Sequence, residues 1–222
     1  MVPPYMTELA FATGQAAWQD AVNANGETLR QAFALSDGKA RMGSLSFSID
    51  SIKQVLSAVG VRFVRVDFLL SSPLQAGNFT AVLYALNEKG ERLTAYYGPA
   101  SAAPIPELLG DFIIPTTLAS LWLTNWKLAE QPDKPMFMTT TTTDEPTPLL
   151  GFQFEVDSIV SALFIAGDSA SMMLLLGLHS FLGPETTGGL TSQFGVILTP
   201  SEPPAAPTVE LYHDLAMPCP PY

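Results

Sequence analysis

Two aspartates, Asp50 and Asp157, stand in matching tetrapeptides, Ile49-Asp50-Ser51-Ile52 and Val156-Asp157-Ser158-Ile159, and paired carboxylates are the usual means of acid–base chemistry. Each directly precedes an apolar helical run, however, where a short acidic side chain accepts backbone amide hydrogen bonds, so capping by Asp50 or Ser51 and by Asp157 or Ser158 is the expected role. Asp67 follows Arg65 by two residues in an apolar stretch. Strand geometry puts those two on one face, which predicts an ion pair rather than a general base, since no histidine lies nearby in sequence. His179 and His213 are the two histidines, and neither shows an HxH or HExxH spacing. Satisfied structural histidines are therefore expected.

No GxSxG elbow or SxxK pair accompanies the many Ser and Thr residues. The glycine-rich Gly183-Pro184-Glu185-Thr186-Thr187-Gly188-Gly189-Leu190 lacks the Lys-Ser/Thr that ends a phosphate loop and reads as a strand connection. Thr139 to Thr143 read as a solvent-facing strand at a sheet edge, because threonine is β-branched and half polar. Trp122 and Trp126, four apart, share one helix face and are expected in the core. The single cysteine, Cys219, excludes an internal disulfide, a CxxC redox pair and a multi-cysteine zinc site. Prolines on both sides stiffen its backbone, and an exposed, unactivated thiol is expected there. No cofactor, no metal and no catalytic residue can be assigned from these residues.

The elements that must carry these side chains repeat. The two Asp-Ser tetrapeptides are 107 positions apart, and both follow period-two runs, Leu45-Ser46-Phe47-Ser48-Ile49 and Phe152-Gln153-Phe154-Glu155-Val156. Trp18 recurs as Trp126 and Ala21 as Ala129 at an offset of 108, Phe79-Thr80-Ala81-Val82-Leu83 as Phe194-Gly195-Val196-Ile197-Leu198 at 115, and Tyr96 as Tyr212 at 116. An α+β fold with internal duplication is expected, in two similar αββαβββ halves with mainly antiparallel sheets and a pseudo-two-fold relation. The repeats are 1–105 and 106–222, packed as one compact unit.

In each half a helix comes first, at 7–25 and 117–131, with Thr7 and Thr117 as caps. Hairpins follow at 29–36 with 41–49, turning at Asp37-Gly38, and at 136–143 with 149–156, turning through Asp144-Glu145-Pro146. A short helix then ends near Gly60 or Gly167. Strands 61–70 and 79–86 answer 172–180 and 194–199, and last strands are expected at 92–97 and 209–215. A connector rich in proline and small residues joins the halves between Tyr97 and Pro115.

The tail Tyr212-His213-Asp214-Leu215-Ala216-Met217-Pro218-Cys219-Pro220-Pro221 resembles a group of uncharacterised bacterial proteins that end in Tyr-x-Asp-x-x-x-Pro-Cys-Pro-Pro. Those proteins are similar also in an N-terminal helix bearing Trp and in an alternating strand before a helix. The resemblance implies no activity, and the first half carries no such tail.

Composition narrows the function classes. The 222 residues are 47% hydrophobic and only 14% charged, with 21 acidic against 10 basic side chains and a net charge of −11. Such a chain folds without a metal or disulfide and is expected to leave a weakly charged surface suited to self-association. Scattered cations argue against nucleic acid; Arg62 and Arg65 fall on opposite strand faces. The segment 162–182 is interrupted by Asp168, Ser169, Ser171 and His179, which reads as a buried helix, turn and strand, with no membrane span. The start lacks a basic region and an apolar run, so a cytoplasmic protein is expected, the alternative being secretion without a Sec signal. The reading is a non-enzymatic binding or structural-interaction module, working as a homo-oligomer or through a protein partner or small ligand at the junction of the halves. The alternative is a small-molecule enzyme using carboxylate, Tyr and Ser groups at that junction.

Overall fold

The computed structural model describes residues 5–24, 26–35, 40–71, 77–106, 116–139, 146–166, 171–182, 190–201 and 217–219. Among these the order is β1 (Tyr5–Met6), α1 (Glu8–Ala24), α2 (Gly26–Ala32), β2 (Ser44–Ser48), α3 (Ile49–Leu56), β3 (Phe63–Leu70), β4 (Phe79–Leu86), β5 (Tyr96–Tyr97) and β6 (Ser101–Ala103). There follow α4 (Thr116–Leu128), a 3-10 turn (Lys134–Phe137), β7 (Met138–Thr139), β8 (Thr147–Pro148), β9 (Gly151–Glu155), α5 (Val156–Ala166), β10 (Ser171–Leu182), β11 (Leu190–Pro200) and β12 (Met217–Cys219). One sheet runs β1-β5-β4-β3-β9-β12 and a second runs β11-β10-β2-β6, while β7 pairs with β8. The described pairings are antiparallel, as expected for a mixed α and β chain with alternating strands.

Alternation decides which side of each strand is inside. Val64, Val66, Phe68 and Leu70 of β3 join Met172, Leu174, Leu176 and Leu178 of β10 in one core cluster, with Leu45, Phe47, Phe152 and Phe154. Phe68 of one sheet meets Phe194 of the other edge to face, their centroids 5.5 Å apart, so the two sheets close on each other. The odd-numbered residues face the helices instead: Leu175 of β10 packs with Ala119, Trp122 and Leu123 of α4 and with Ile197.

Strand exchange ties the early and late parts of the chain together. β2 pairs with β10, and β9 pairs with β3. The Trp18 indole of α1 donates to the Leu149 carbonyl at 2.8 Å, and the Trp126 indole of α4 donates to the Met42 carbonyl at 2.8 Å. Arg41 donates to the carbonyls of Trp126, Ala129 and Glu130, which supplies cationic partners to the carbonyl end of α4. No described helix is long and apolar enough to cross a membrane.

Several expected elements differ. Residues 29–32 lie in α2 rather than in a hairpin strand, because Leu29, Ala32 and Phe33 bury one helical face while Arg30 pairs with Glu27 at 2.6 Å. Among the described residues that hairpin's pairing is a bridge between Ala34 and Arg41, and its second strand is β2, paired with β10 and β6 instead. The strand expected at 136–143 begins with the 3-10 turn, which Pro135 favours at its start, and only Met138–Thr139 is a described strand. Residues 92–97 give an isolated bridge at Arg92 and the short β5. The connector contains β6, paired with β2. Ser48, not Asp50 or Ser51, caps α3, its hydroxyl accepting from the Ser51 amide at 3.1 Å. Thr7 does cap α1, accepting from the Ala10 amide at 3.3 Å. Among the described residues, the first half therefore departs from the αββαβββ order, because α2 stands where its first strand is expected. The turns at Asp37-Gly38 and Asp144-Glu145, Asp168, and the strand expected at 209–215 lie outside the described residues.

Candidate functional site

The charged pair of β3 lies at the floor of an open cleft. Because Arg65 and Asp67 are odd-numbered, both turn away from the sheet interface and under α1, where they are 5% and 1% exposed. Arg65 Nε donates to Asp67 Oδ1 at 2.8 Å, the ion pair that the two-residue spacing predicts. Asp67 Oδ2 accepts from the Tyr84 hydroxyl at 2.7 Å and from Gln15 Nε2 at 3.4 Å. Three elements thus satisfy one buried carboxylate.

Register explains the arrangement. Tyr84 of β4 and Gln153 of β9 stand opposite Arg65 on either side, and Val82 and Gly151 stand opposite Asp67. A Cβ on Gly151 would lie 2.0 Å from the Val66 carbonyl and 2.8 Å from Asp67 Oδ1, so only glycine admits the carboxylate and the close strand. On α1, Phe11, Gln15 and Trp18 follow helical spacing; Phe11 stacks on Tyr96 at 4.0 Å while Trp18 enters the core.

The cleft measures about 660 Å³ and is completed by Gln19, Lys89, Arg92 and Gln153 around the Phe11, Leu86 and Leu150 side chains. Arg92 pairs with Glu8 at 2.6 Å and lies over the Tyr96 ring at 4.2 Å. Burial, together with the Asp67 charge, pushes the Tyr84 phenol far up, so its proton is held. Burial and the Glu8 hydrogen bond push Tyr96 up to about 12. Asp67 thus holds the Arg65 guanidinium, the Tyr84 hydroxyl and the Gln15 amide in place.

Comparison with protein families, curated proteins and solved structures found no match.

The other sequence candidates lie apart from the cleft. Asp50 and Asp157 are exposed in the first turns of α3 and α5, favourable places for negative charge at a helix start. Arg62 lies 3.9 Å from Glu155 at the surface. Thr139 is buried, not solvent-facing, and its hydroxyl bonds Thr147; Thr140 to Thr143 lie outside the described residues. Outside them too are His213 and residues 183–189, and of the tail only the backbone of β12 is described, antiparallel to β9. Between the sheets, a gap of about 10 Å³ lies among Ile52, Val66, Leu83, Phe154, Ile159 and Leu198. Apolar space of that size does not host a ligand. Among the described residues, no group of three His, Cys, Asp or Glu could hold a metal ion.

Tyr84, Gln15, Gln153, Lys89 and Arg92 were not distinguishable in the sequence. The available signal was Arg65-x-Asp67 inside an otherwise apolar strand, two charges on a face that burial had to satisfy.

His179 departs from the satisfied histidine that the sequence predicts. It stacks on Trp122 at 3.6 Å, and its Nε2 is buried with no hydrogen-bond partner among the described residues. Gly177 and Gly195, opposite each other on β10 and β11, make the room: a Cβ on Gly195 would lie 2.3 Å from that nitrogen. Burial pushes His179 down to about 4 from 6.5. Because the folded state disfavours the proton, the unfolded chain takes it up first, so stability is full above pH 6.5 and falls as pH drops from 6.5 towards 4. Partial exposure of the ring reduces the loss to about 1–2 kcal/mol, from a full ~1.4 kcal/mol per unit. Urea unfolding at pH 7, 5.5 and 4.5 should show that His179→Phe loses less stability on acidification than the parent. Equal losses would remove His179 as the cause.

Proposed function

We propose that the protein is a non-enzymatic binding module whose site is the cleft beneath α1, holding a small polar ligand against the Arg65–Asp67–Tyr84 floor. The observation that carries this is a buried, fully engaged ion pair opening on a cleft of ligand size. Buried charge adds little to stability compared with apolar packing, so its presence beside solvent favours recognition. Thermal-shift screening of small polar metabolites should find a compound that raises the melting temperature of the parent by about 5–10 °C near 100-fold Kd. The variant Q15L/R65M/D67L/Y84F should not respond. Compounds that stabilise both proteins equally, or sedimentation showing a dimer that covers the cleft, would dismiss the reading.

The same reading takes the chain as an internal duplication of 1–105 and 106–222. Strand registers support it. β4-β3-β9-β12 and β11-β10-β2-β6 have parallel orders, and their pairings superpose at offsets of 107 for β2 on β9, 108 for β3 on β10, 115 for β4 on β11 and 116 for β6 on β12. The Trp18–Leu149 and Trp126–Met42 bonds obey the same offsets, 108 between donors and 107 between acceptors. Each sheet takes two of those strands from either half, as a strand-exchanged dimer would after fusion into one chain.

A further inference from the structure

The cleft has a different lining from the place that corresponds to it on the second sheet. At those offsets Arg65 answers to Met173, Asp67 to Leu175, Gln15 to Leu123 and Tyr84 to Thr199. Leu123 and Leu175 are buried together in a small apolar cluster against which Met173 packs. The fold therefore accepts an apolar filling at this position, and the polar set in the cleft serves something other than folding.

Charge points to what it serves. Among the described residues, three of the chain's ten basic side chains, Arg65, Lys89 and Arg92, line this one cleft, and Asp67 is the acidic residue that lines it. Even counting Glu8, which holds Arg92, three cations stand against two carboxylates in a chain of net charge −11. Glu88 and Glu91 share the Lys89 turn but do not line the cleft. Lys89 is fixed at the mouth by an ordered turn: its amide and that of Glu91 each donate to Asn87 Oδ1 at 2.9 Å, and Gly90 supplies a φ of +79°. Side-chain amides of Gln15, Gln19 and Gln153 add neutral donors and acceptors deeper in.

We propose that the cleft binds a small hydroxylated organic acid, with its carboxylate at Lys89 and Arg92 and its hydroxyl groups on the three glutamine amides. This rests on the cleft being the binding site. Titration calorimetry of the full chain with glucuronate, glucose and inorganic phosphate separates the two ideas. Glucuronate should bind at least about tenfold more tightly than glucose or phosphate, and Lys89→Ala should weaken it about fivefold to tenfold, mostly through the lost charge. Q15L/R65M/D67L/Y84F should abolish binding while remaining folded by circular dichroism. Glucose binding as tightly as glucuronate, or an unchanged affinity in Lys89→Ala, overturns the acid while the quadruple variant still reports on the cleft. Phosphate matching glucuronate reduces the site to a general anion site and overturns it too, as does no binding by any of the three probes.

Discussion

Asp67→Ala is expected to destabilise the protein by about 3–5 kcal/mol, while R65M/D67L is expected to restore most of that loss. The single change leaves the Arg65 guanidinium, 5% exposed on β3, without the carboxylate that meets its Nε at 2.8 Å, and frees the Tyr84 hydroxyl and Gln15 amide of their common acceptor. The double change removes the charges together and installs the residues found 108 positions on, Met173 and Leu175, which the proposed duplication makes equivalent. Equilibrium unfolding in guanidinium chloride measures both. A double variant no more stable than Asp67→Ala would mean that the polar set is needed for folding, and the cleft would lose its main support as a recognition site.

Trp126→Ala and Trp18→Ala should each cost about 3–5 kcal/mol, the usual range for truncating a fully buried large aromatic side chain. Both rings are 0% exposed, and each contacts several phenylalanines, Trp126 lying 4.9 Å from Phe33 and 5.1 Å from Phe194. Trp126→Phe keeps much of the apolar area yet strips the Met42 carbonyl of its donor, so about 1–3 kcal/mol should be lost. Because donor and acceptor lie on opposite sides of residue 105, unfolding of each variant should remain one cooperative transition across far-UV and tryptophan signals. Two separated transitions would show that the early and late parts of the chain fold independently, against the shared core cluster.

Much of the local structure was legible because it depends on near neighbours. Leu45 to Ile49 and Phe152 to Val156 announce half-buried strands through period two, and Trp18 in a helix begun by Thr7 lies where it is expected. Residues 29–36 misled for the same local reason: Leu29, Ala32 and Phe33 suit a helix face, but the Asp37-Gly38 turn signal favoured a hairpin, and burial against Trp18 and Trp126 decided the matter. The Arg65–Asp67 pair was readable from spacing alone. Its use was not, since Tyr84, Gln15 and Gln153 come to it from three other elements, up to 88 positions away.

Self-similarity behaves in the same way. By itself the sequence determined that Ile49-Asp50-Ser51-Ile52 and Val156-Asp157-Ser158-Ile159 share a local preference, a strand running into a helix. Only the tertiary structure decided that β2 pairs with β10 and β9 with β3, because equal preferences in two segments make either partner available to a strand, and hydrogen bonding across the sheet chooses between them. The same choice brings Gln153 beside Arg65 and so sets one wall of the open cleft beneath α1.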